Sequence, residues 1–429
     1  MNAALASTAV SKIVLGQSFA ASATVTRKVD IDLAGKTLTG NLTYNLPTAT
    51  GTITLDAGTI TGNLTVNTPN ATFVNNATVG GTVFINNVSG NTWNENANNN
   101  KLEFNDPNAN TNLVIATGKT VASLTLKTQA VVTIPATSTV TALTVATTAT
   151  GATINNGGTV TTLTSNATDT TINNGQSGTV GTVNGSQAQN TEVVVNVNNA
   201  NELVVALANT KNTKINLATG DYLGQFVIDR NLTLSGNGQA NTTISAPAEL
   251  TGTRAVLLVT NGANLSLNNL TVDGENRGGD SLYGVKLENA SGSLDHVTVT
   301  GITATPFNGA QEFRAIDARA EVAGNYSLSV TNSIVNDYQK SGVYVSGLGM
   351  TAVINSNQIT GKGQTEVIAQ NGVTIMNGAK GTVTNNTISG HVYGNDTSAS
   401  YDVLFYDANV TSTQSGNGEI SFYDTSIVE

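Results

Sequence analysis

The chain of 429 residues contains no cysteine. This absence excludes disulfide bonds, thiolate metal sites and cysteine nucleophiles. Charged residues make up only 11% of the sequence and aromatic residues 5%, whereas about 25% of the residues in an average globular domain are charged. Gly, Asn and Thr, which are poor helix formers, take the places that Leu, Glu and Lys fill in most amphipathic helices. The sequence therefore predicts a protein made of strands.

Basic residues are scarcer than acidic ones, and the formal net charge is −10. No stripe of Lys and Arg is present to neutralise phosphates, which excludes nucleic acid as a partner. No apolar run approaches the roughly 18 residues of a membrane span, and Met1 is not followed by the pattern of a signal peptide. We therefore predict a chain without a membrane span, and we expect an export signal or anchoring module to precede it in the full gene product.

Two segments that lie about 200 residues apart begin in the same way, which indicates an internal repeat. The stretch from Ala4 to Leu15 aligns without a gap with the stretch from Ala206 to Leu217. After one inserted residue the match continues to an arginine in each copy, Arg27 and Arg230. Short strands rich in Thr, Val, Asn and Gly follow both openings. The chain is therefore predicted to contain two copies of one building plan.

Each opening also carries a short run of helix-forming residues, Asn2–Ala6 in the first copy and Asn198–Ala208 in the second. Asparagine is a favourable residue at a helix N-cap. The first coil of a stack of strands leaves an apolar end and unpaired strand edges exposed. We therefore predict that each run forms a short capping helix over the first coil of its copy.

The first copy repeats a pattern in which apolar residues precede a Thr at steps of about 20 residues. Its later units begin at Val121, Val140, Val160 and Val180. Such a repeat, made of strand and turn signals, is typical of a solenoid with a column of Val, Ile and Leu inside. In such a stack, Asn lies above Asn and Thr above Thr, so that their side chains can form hydrogen-bonded ladders.

The second copy has longer units that end in glycine, such as Ile354–Gly361 and Val383–Gly390, with Val330–Asp337 in the same frame. Loops of varying length are inserted between them, and variable loops on a fixed scaffold carry specificity in many proteins. The predicted fold is all-β, with two tandem β-helix domains at residues 1–190 and 191–429. An Asn-rich segment at 91–106 is predicted to form a protruding loop.

The repeat units of residues 260–390 resemble those of right-handed parallel β-helix proteins of the pectate-lyase-like family. The two openings are similar to β-helix domains that follow wall-anchoring modules in surface-layer proteins of Gram-positive bacteria. The resemblance implies right-handed coils and an extracellular location on the cell surface or cell wall. It leaves the role open, because the same fold occurs in lyases, hydrolases, adhesins and phage tailspikes.

Few residues match the active sites of β-helix enzymes. Asp295-His296 resembles part of a pectate lyase segment, but the tryptophan of that segment is missing. We predict a surface turn there. The residues of the 312–321 segment, among them Arg314, Asp317 and Arg319, alternate in charge and are predicted to form a solvated rim. No catalytic residue is assigned.

Acidic residues in the loops of the second copy form a candidate calcium site, because oxygen-rich loops suit Ca²⁺. Their spacing matches no known calcium loop, so scattered solubilising acids are the simpler interpretation. We expect that the chain requires no cofactor for its function, and Ca²⁺ is the candidate metal. The candidate ligands are Asp273, Glu275, Asp280, Asp317 and Asp337.

Thr-x-Thr elements between Thr24 and Thr61 raise the possibility of an ice-binding face. Such a face needs the motif once per coil and in register, and the elements are unevenly placed. The simpler interpretation is the β-propensity of threonine on solvent-facing strands.

The sequence favours an exported structural subunit that assembles with itself into a surface layer or fibre. The alternatives are a polysaccharide-active lyase or hydrolase and a glycan-binding adhesin, and cell-wall glycan could be bound by modules outside this chain. The 91–106 segment, the 274–284 loop and the aromatic tail are candidate contact regions. The predicted contact residues are Trp93, Arg277, Asp280, Tyr401, Phe405, Tyr406, Phe422 and Tyr423.

Overall fold

The computed structural model describes residues 1–89, 92–108, 111–394, 399–409 and 411–425. The chain divides into two compact units, Met1–Val195 and Asn196–Glu429. Each unit consists of short strands that follow a single helix near its start. The predicted boundary at residues 190 and 191 lies close to this division, and the independence of the two units as domains stays a prediction.

The first unit begins with helix α1 (Asn2–Ala6), and a 3₁₀ helix covers Ala188–Asn190 near its end. Its strands are β1 (Lys12–Val14), β2 (Ala23–Val25), β3 (Asp30–Asp32), β4 (Thr37–Leu38), β5 (Leu42–Asn45), β6 (Gly51–Asp56), β7 (Thr59–Ile60), β8 (Leu64–Thr68), β9 (Ala71–Asn75), β10 (Thr78–Val79), β11 (Thr82–Val88), β12 (Trp93–Glu95), β13 (Lys101–Phe104), β14 (Asn112–Ile115), β15 (Thr120–Leu126), β16 (Val131–Ile134), β17 (Thr139–Val145), β18 (Thr153–Asn156), β19 (Thr159–Ser165), β20 (Thr171–Asn174), β21 (Thr179–Asn184) and β22 (Glu192–Val197).

The strands of the first unit form parallel ladders, in which strands of successive coils pair with one another. One sheet contains nine strands in the order β2-β5-β8-β11-β13-β15-β17-β19-β21, and a short one contains β4, β7 and β10. A third parallel ladder pairs β14 with β16, β16 with β18 and β18 with β20. Stacked parallel strands that enclose one continuous apolar core define a parallel β-helix.

The predicted repeat of the first unit is confirmed by the register of its strands. Val121 pairs with Val140, Val140 with Val160, and Val160 with Val180. These valines are buried, and so are the leucines three residues after the first three of them. The column of β-branched and leucine side chains is therefore the core of the unit.

The second unit begins with helix α2 (Ala200–Ala208). Its further strands are β23 (Lys214–Leu217), β24 (Gly220–Leu223), β25 (Phe226–Ile228), β26 (Leu232–Ser235), β27 (Thr242–Ser245), β28 (Ala255–Val259), β29 (Asn264–Asp273), β30 (Ser281–Glu288), β31 (Ser291–Thr300), β32 (Glu312–Arg319), β33 (Tyr326–Thr331), β34 (Ile334–Val335), β35 (Ser341–Ser346), β36 (Met350–Asn355), β37 (Gln358–Thr365), β38 (Asn371–Met376), β39 (Lys380–Thr384), β40 (Thr387–Tyr393), β41 (Val403–Tyr406), β42 (Thr413–Ser415) and β43 (Phe422–Asp424).

The second unit is also a stack of parallel strands. Its eight-stranded sheet has the order β25-β28-β30-β32-β35-β38-β41-β43, and a second ladder contains strands such as β29, β31, β33, β36 and β39. The predicted units are confirmed, because Val330 pairs with Ile354 and Ile354 with Val383. The loops between these strands vary in length, as the spacing of the units indicates.

A buried ladder of three asparagines runs along the turns of the second unit. Asn386 Nδ2 donates to the carbonyl oxygen of Ile354 at 2.9 Å and to Asn417 Oδ1 at 3.0 Å. Asn386 Oδ1 accepts hydrogen bonds from the backbone and side-chain nitrogens of Asn357, both at 2.9 Å. The prediction that stacked coils place Asn above Asn is therefore confirmed.

Both predicted helices are present, and an arginine binds the carbonyl end of each. Arg27 donates through Nε to the carbonyl oxygen of Leu5 at 2.9 Å and through Nη2 to that of Ala4 at 2.9 Å. Arg230 Nη2 donates to the carbonyl oxygen of Asn209, the C-cap of α2, at 3.2 Å. The carbonyl oxygens of Ala4 and Asn209 also accept backbone hydrogen bonds from Ser7 and Asn212. The aligned arginines therefore add hydrogen bonds at the C-terminal end of the helix in both units.

The N-terminus of α2 is closed by the predicted asparagine cap. Asn199 Oδ1 accepts a hydrogen bond from the Glu202 backbone nitrogen at 3.0 Å, and the Glu202 carboxylate accepts one from the Asn198 backbone nitrogen at 2.8 Å. This arrangement differs from a capping box, because the Glu202 carboxylate accepts from the backbone of the residue before the N-cap and not from that of Asn199 itself. Leu203 and Ala206 are the buried residues of α2. A covering role for the two helices stays a prediction.

Candidate functional site

A cluster of four charged residues lies on strand β32. Arg314 donates to Glu312 Oε2 at 2.8 Å and to Asp317 Oδ2 at 2.9 Å through Nη1. Arg319 donates to Asp317 Oδ1 at 2.8 Å through Nε and to Glu312 Oε2 at 2.9 Å through Nη2. Each carboxylate is therefore bound by both guanidinium groups.

Aromatic side chains from the neighbouring strands β30 and β35 pack on this cluster. The Arg314 guanidinium carbon lies 3.9 Å from the ring centroid of Tyr344, which favours a cation–π interaction. The Tyr283 hydroxyl donates to Glu312 Oε2 at 2.6 Å, and the Lys286 ammonium lies 4.7 Å from the Tyr283 ring centroid. The cluster is thus held between two coils.

The prediction of a solvated rim at 312–321 is wrong for the centre of this segment. Asp317 is 0% exposed and Arg314 is 7% exposed, because side chains of the adjacent coils cover the outer face of the sheet. Burial raises the pKa of the Asp317 carboxyl, and the charge of Lys286 opposes this shift. Glu312 is the half-exposed residue of the cluster, because its side chain is 45% exposed.

Asp317 is also wrong as a candidate calcium ligand. It lies in a strand and not in a loop, and both of its carboxylate oxygens accept hydrogen bonds from arginines. A cation at this position would have to replace two guanidinium groups. The pairing supports a structural role for the carboxylate.

Of the other candidate calcium ligands, Glu275, Asp280 and Asp337 lie in turns or bends of the second unit. Asp273 ends β29, and its Oδ1 accepts a hydrogen bond from the Glu275 backbone nitrogen at 2.7 Å. Burial raises the pKa of Asp273, and the charge of Asp337 contributes to the shift. Within the described ranges, no group of three or more Asp, Glu, His or Cys side chains converges on one point. Calcium binding stays a prediction.

Two predicted contact residues, Arg277 and Asp280, lie in the turn after β29. The Arg277 Nη2 atom is 3.7 Å from Glu275 Oε2, and the Arg277 carbonyl oxygen accepts a long hydrogen bond of 3.5 Å from Arg254. Asp280 is exposed, and Arg277 is partly exposed. Both side chains are accessible at the surface, as a contact between molecules requires.

The predicted loop around Trp93 is absent from the described part of that segment. Strand β12 pairs with β9 and β14, and the Trp93 side chain is fully buried. Its indole ring stacks on Phe73 with ring centroids 5.0 Å apart. The predictions of a protruding loop and of Trp93 as a contact residue are therefore wrong, because this side chain fills the core.

A buried glutamate lies beside Trp93 in the interior of the first unit. Glu95 Oε2 accepts hydrogen bonds from Trp93 Nε1 at 3.0 Å and from Asn75 Nδ2 at 3.2 Å. Its Oε1 accepts one from Asn100 Nδ2 at 2.9 Å. Burial raises the pKa of Glu95 to about 7, and these hydrogen bonds oppose the shift. The side chain therefore titrates near neutral pH.

We expect the free energy of unfolding to fall as the pH rises from about 4.5 to about 7. The Glu95 carboxyl is neutral below this window in both the folded and the unfolded chain, and above it folding must bury an ionised carboxylate. The difference in pKa corresponds to about 3 kcal/mol. Denaturant unfolding across this pH range should show that Glu95→Gln removes this part of the slope, whatever its effect on stability at one pH.

The matched control for this prediction is Glu103→Gln. Glu103 lies on the neighbouring strand β13, and its partly exposed carboxylate pairs with Lys127 at 2.6 Å. The control should keep the slope of the wild-type chain. Equal slopes for Glu95→Gln and the wild-type chain would show that Glu95 does not titrate in this window.

The aromatic tail is part of the stack of strands. Strand β41 pairs with β38, and β43 pairs with β41. Phe405 is buried, so the prediction that it contacts another molecule is wrong. Tyr406, Phe422 and Tyr423 are 51%, 36% and 45% exposed, and Tyr401 stacks on Tyr423 at 5.1 Å. The exposed rings leave an accessible aromatic surface.

The two histidines have different environments. His296 is exposed and lies 2.9 Å from Asp295 Oδ2, at a left-handed position of strand β31 with φ of 53°. Its surface position agrees with the prediction, but the predicted turn is wrong, because both residues lie in a strand. His391 is buried, with Nδ1 at 2.6 Å from Asp402 Oδ1 and Nε2 bonded to the Tyr338 hydroxyl. The second arrangement was not foreseen from the sequence. The hydroxyl of Tyr338 that bonds to His391 is enclosed in the core. This contact therefore holds coils together and is not placed to touch a substrate.

The stack of parallel coils defines the chain as a parallel β-helix protein. No protein-family model matches the sequence, and no curated protein matches it. One solved structure that it matches is a PL6 family alginate lyase, AlyGC, with 11% identity and a TM-score of 0.26. The match covers 97% of this chain and 95% of that chain. A similarity at this TM-score carries no argument about the chemistry of this chain.

Among the described residues, no helix is long and apolar enough to cross a membrane.

Proposed function

We propose that this chain is an exported structural subunit of a bacterial surface layer or fibre, and that it assembles with copies of itself. The observation that carries the proposal is a stretch of regular coils with almost no charge. Residues 111–187 contain only three charged side chains, Lys119, Lys127 and Asp169, although their strands alternate between buried and outward positions. Surfaces with so little charge favour association between molecules.

The proposed mechanism is the packing of rigid coils. Continuous columns of buried side chains in both units are proposed to make the coils stiff, and side-chain ladders add hydrogen bonds from coil to coil. The exposed rings of Tyr406, Phe422 and Tyr423 and the exposed turn with Arg277 and Asp280 are proposed as further contacts. Exposed aromatic groups of this kind are enriched at interfaces between proteins.

The charged cluster on β32 favours this structural role over an enzyme. A β-elimination or hydrolysis site needs a carboxylate or base that can reach the substrate. Here, Arg314 and Arg319 both bind the buried Asp317, and the half-exposed carboxylate of Glu312 is also held in ion pairs with both guanidinium groups. The alternatives of a polysaccharide-active enzyme and of a glycan-binding adhesin therefore take second place.

Electron microscopy of the purified chain, with Ca²⁺ and with a chelator, tests the proposal. We expect ordered sheets or fibres, and a requirement for Ca²⁺ would assign a role to exposed acids such as Glu275 and Asp280. Isolated particles that release unsaturated products from a uronate polymer would support a lyase instead. Isolated particles that bind a glycan array without turnover would support an adhesin.

A further inference from the structure

Nine asparagines of the chain are followed directly by a glycine. In such a pair, the glycine backbone nitrogen can attack the side-chain carbonyl carbon of the asparagine, because both groups are held close in one chain and glycine has no side chain to shield the nitrogen. The attack needs a glycine N–H that is free of hydrogen bonds and a carboxamide that can turn. The pairs, all within the described residues, are Asn156-Gly157, Asn174-Gly175, Asn184-Gly185, Asn237-Gly238, Asn261-Gly262, Asn308-Gly309, Asn371-Gly372, Asn377-Gly378 and Asn417-Gly418.

Backbone hydrogen bonds protect six of these pairs. In each of them the glycine N–H donates to a carbonyl oxygen of another coil, as Gly262 does to Asn289 at 3.0 Å. This bond must break before the nitrogen can act as a nucleophile, which raises the barrier to the reaction. The protected glycines are Gly157, Gly175, Gly238, Gly262, Gly372 and Gly378.

Two further pairs hold the asparagine side chain in place. Asn417 is 6% exposed, and its Nδ2 atom donates to the carbonyl oxygen of Val383 at 2.9 Å. Asn308 is partly buried, and its Oδ1 atom accepts hydrogen bonds from the Ala310 backbone nitrogen at 2.9 Å and from Gln339 Nε2 at 3.0 Å. Ring closure moves the carboxamide, so the reaction must break these contacts.

The pair Asn184-Gly185 meets both requirements. Asn184 ends β21, the last strand of the nine-stranded sheet, and both residues are exposed. Within the described residues, the Gly185 nitrogen donates no hydrogen bond, and the Asn184 side chain accepts one, from the Thr164 hydroxyl at 2.7 Å. Gly185 has a φ of 102°, and a Cβ atom there would collide with the carbonyl oxygen of Ser165. The fold therefore requires glycine at a position where it leaves the nitrogen free.

We propose that Asn184 is a site of spontaneous deamidation, with water as the co-reactant. The Gly185 nitrogen gives its proton to base and forms a bond to Asn184 Cγ, while the bond between Cγ and Nδ2 breaks and ammonia leaves. Water then opens the cyclic imide at either carbonyl, which leaves aspartate or isoaspartate. The modification adds a carboxylate to the stretch 111–187, which has only three charged side chains. This inference does not depend on the proposed function.

Incubation of the purified chain at mildly alkaline pH, followed by peptide mapping with mass spectrometry, tests the inference. Asn261-Gly262 is the matched control in the same molecule, because Asn261 is also exposed but the Gly262 nitrogen donates to Asn289. We expect Asn184 to react at least about tenfold faster than Asn261, which corresponds to about 1.4 kcal/mol in the activation free energy, the size of one hydrogen bond.

The same measurement in denaturant separates the fold from the local sequence. Faster reaction at Asn184 in the folded chain, together with similar rates at both sites in denaturant, supports the inference, since unfolding frees both glycine nitrogens. Equal rates in the folded chain overturn it. A difference that is as large in denaturant also overturns it, because the neighbouring residues would then set the rate.

The variant Asn184→Gln tests the site itself, because glutamine closes the corresponding ring much more slowly. We expect the acidic species that grows with time in the wild-type chain to disappear from isoelectric focusing of this variant, and circular dichroism checks that it folds. An acidic species that forms at the wild-type rate in Asn184→Gln would overturn the assignment.

Discussion

Replacement of Asp317 by alanine is expected to lower the free energy of unfolding of the second unit by about 3–5 kcal/mol. The substitution removes the carboxylate that accepts three hydrogen bonds from Arg314 and Arg319. Arg314 is almost fully buried and would keep only Glu312 as an acidic partner. Denaturant unfolding monitored by tyrosine fluorescence or circular dichroism would measure the loss.

The matched control is Asp280→Ala, which removes an exposed carboxylate in the same unit. We expect a change within about 0.5 kcal/mol for this surface substitution. A catalytic role for Asp317 leads to a different result, in which the alanine variant keeps its stability and loses activity toward a polysaccharide. Unchanged stability of Asp317→Ala would therefore contradict the structural interpretation of the cluster.

Removal of the central rung of the asparagine ladder should have an effect of similar size. In Asn386→Ala, the carbonyl oxygen of Ile354 and the amide groups of Asn357 lose hydrogen-bond partners in the buried turn. Each buried polar group without a partner costs about 1–3 kcal/mol. We therefore expect the free energy of unfolding to fall by about 3–5 kcal/mol, measured by denaturant unfolding.

Asn325→Ala is the control for the ladder, because Asn325 is exposed in the loop between β32 and β33. Its stability should match that of the wild-type chain. Equal effects at the two positions would mean that the ladder contributes no more than a surface asparagine. Hydrogen exchange of the Asn357 backbone amide, which donates to Asn386 Oδ1, should also accelerate in Asn386→Ala alone.

The stacked coils could be predicted because their signal is local. A buried residue recurs at each step of about 20 residues, and the alternation around it distinguishes inward from outward positions. The paired residues Val121, Val140 and Val160 are found where this pattern predicts them. The aligned openings of the two copies predicted both helices. In the structure, Arg27 and Arg230 both donate to carbonyl oxygens at the end of these helices.

The interior polar groups could not be predicted, because their partners come from other coils. The segment after Trp93 is rich in asparagine and has the composition of a loop. In the structure, Asn75 and Asn100 turn inward and bind Glu95, which lets this polar segment pack around the indole. The hydrogen bond from Asn75 to Glu95 spans 20 residues and that from Asn100 spans five. The repeat predicts which residues stack, but not that polar side chains in this segment point into the core.

The charged segment on β32 was misinterpreted for a related reason. Alternating charge in one strand is typical of a solvated surface, and nothing near Arg314 in the sequence indicates burial. The covering groups, Tyr283 and Tyr344, belong to the preceding and following strands of the sheet. In the same way, the buried contact of His391 with Tyr338 joins residues 53 positions apart.

Sedimentation velocity of the purified wild-type chain over a wide range of concentrations is the most direct test of a structural role. We expect large species to appear above a threshold concentration and to grow at the expense of the monomer, since weak contacts between identical surfaces depend on concentration. A single monomeric boundary at every concentration, with and without Ca²⁺, would contradict self-assembly.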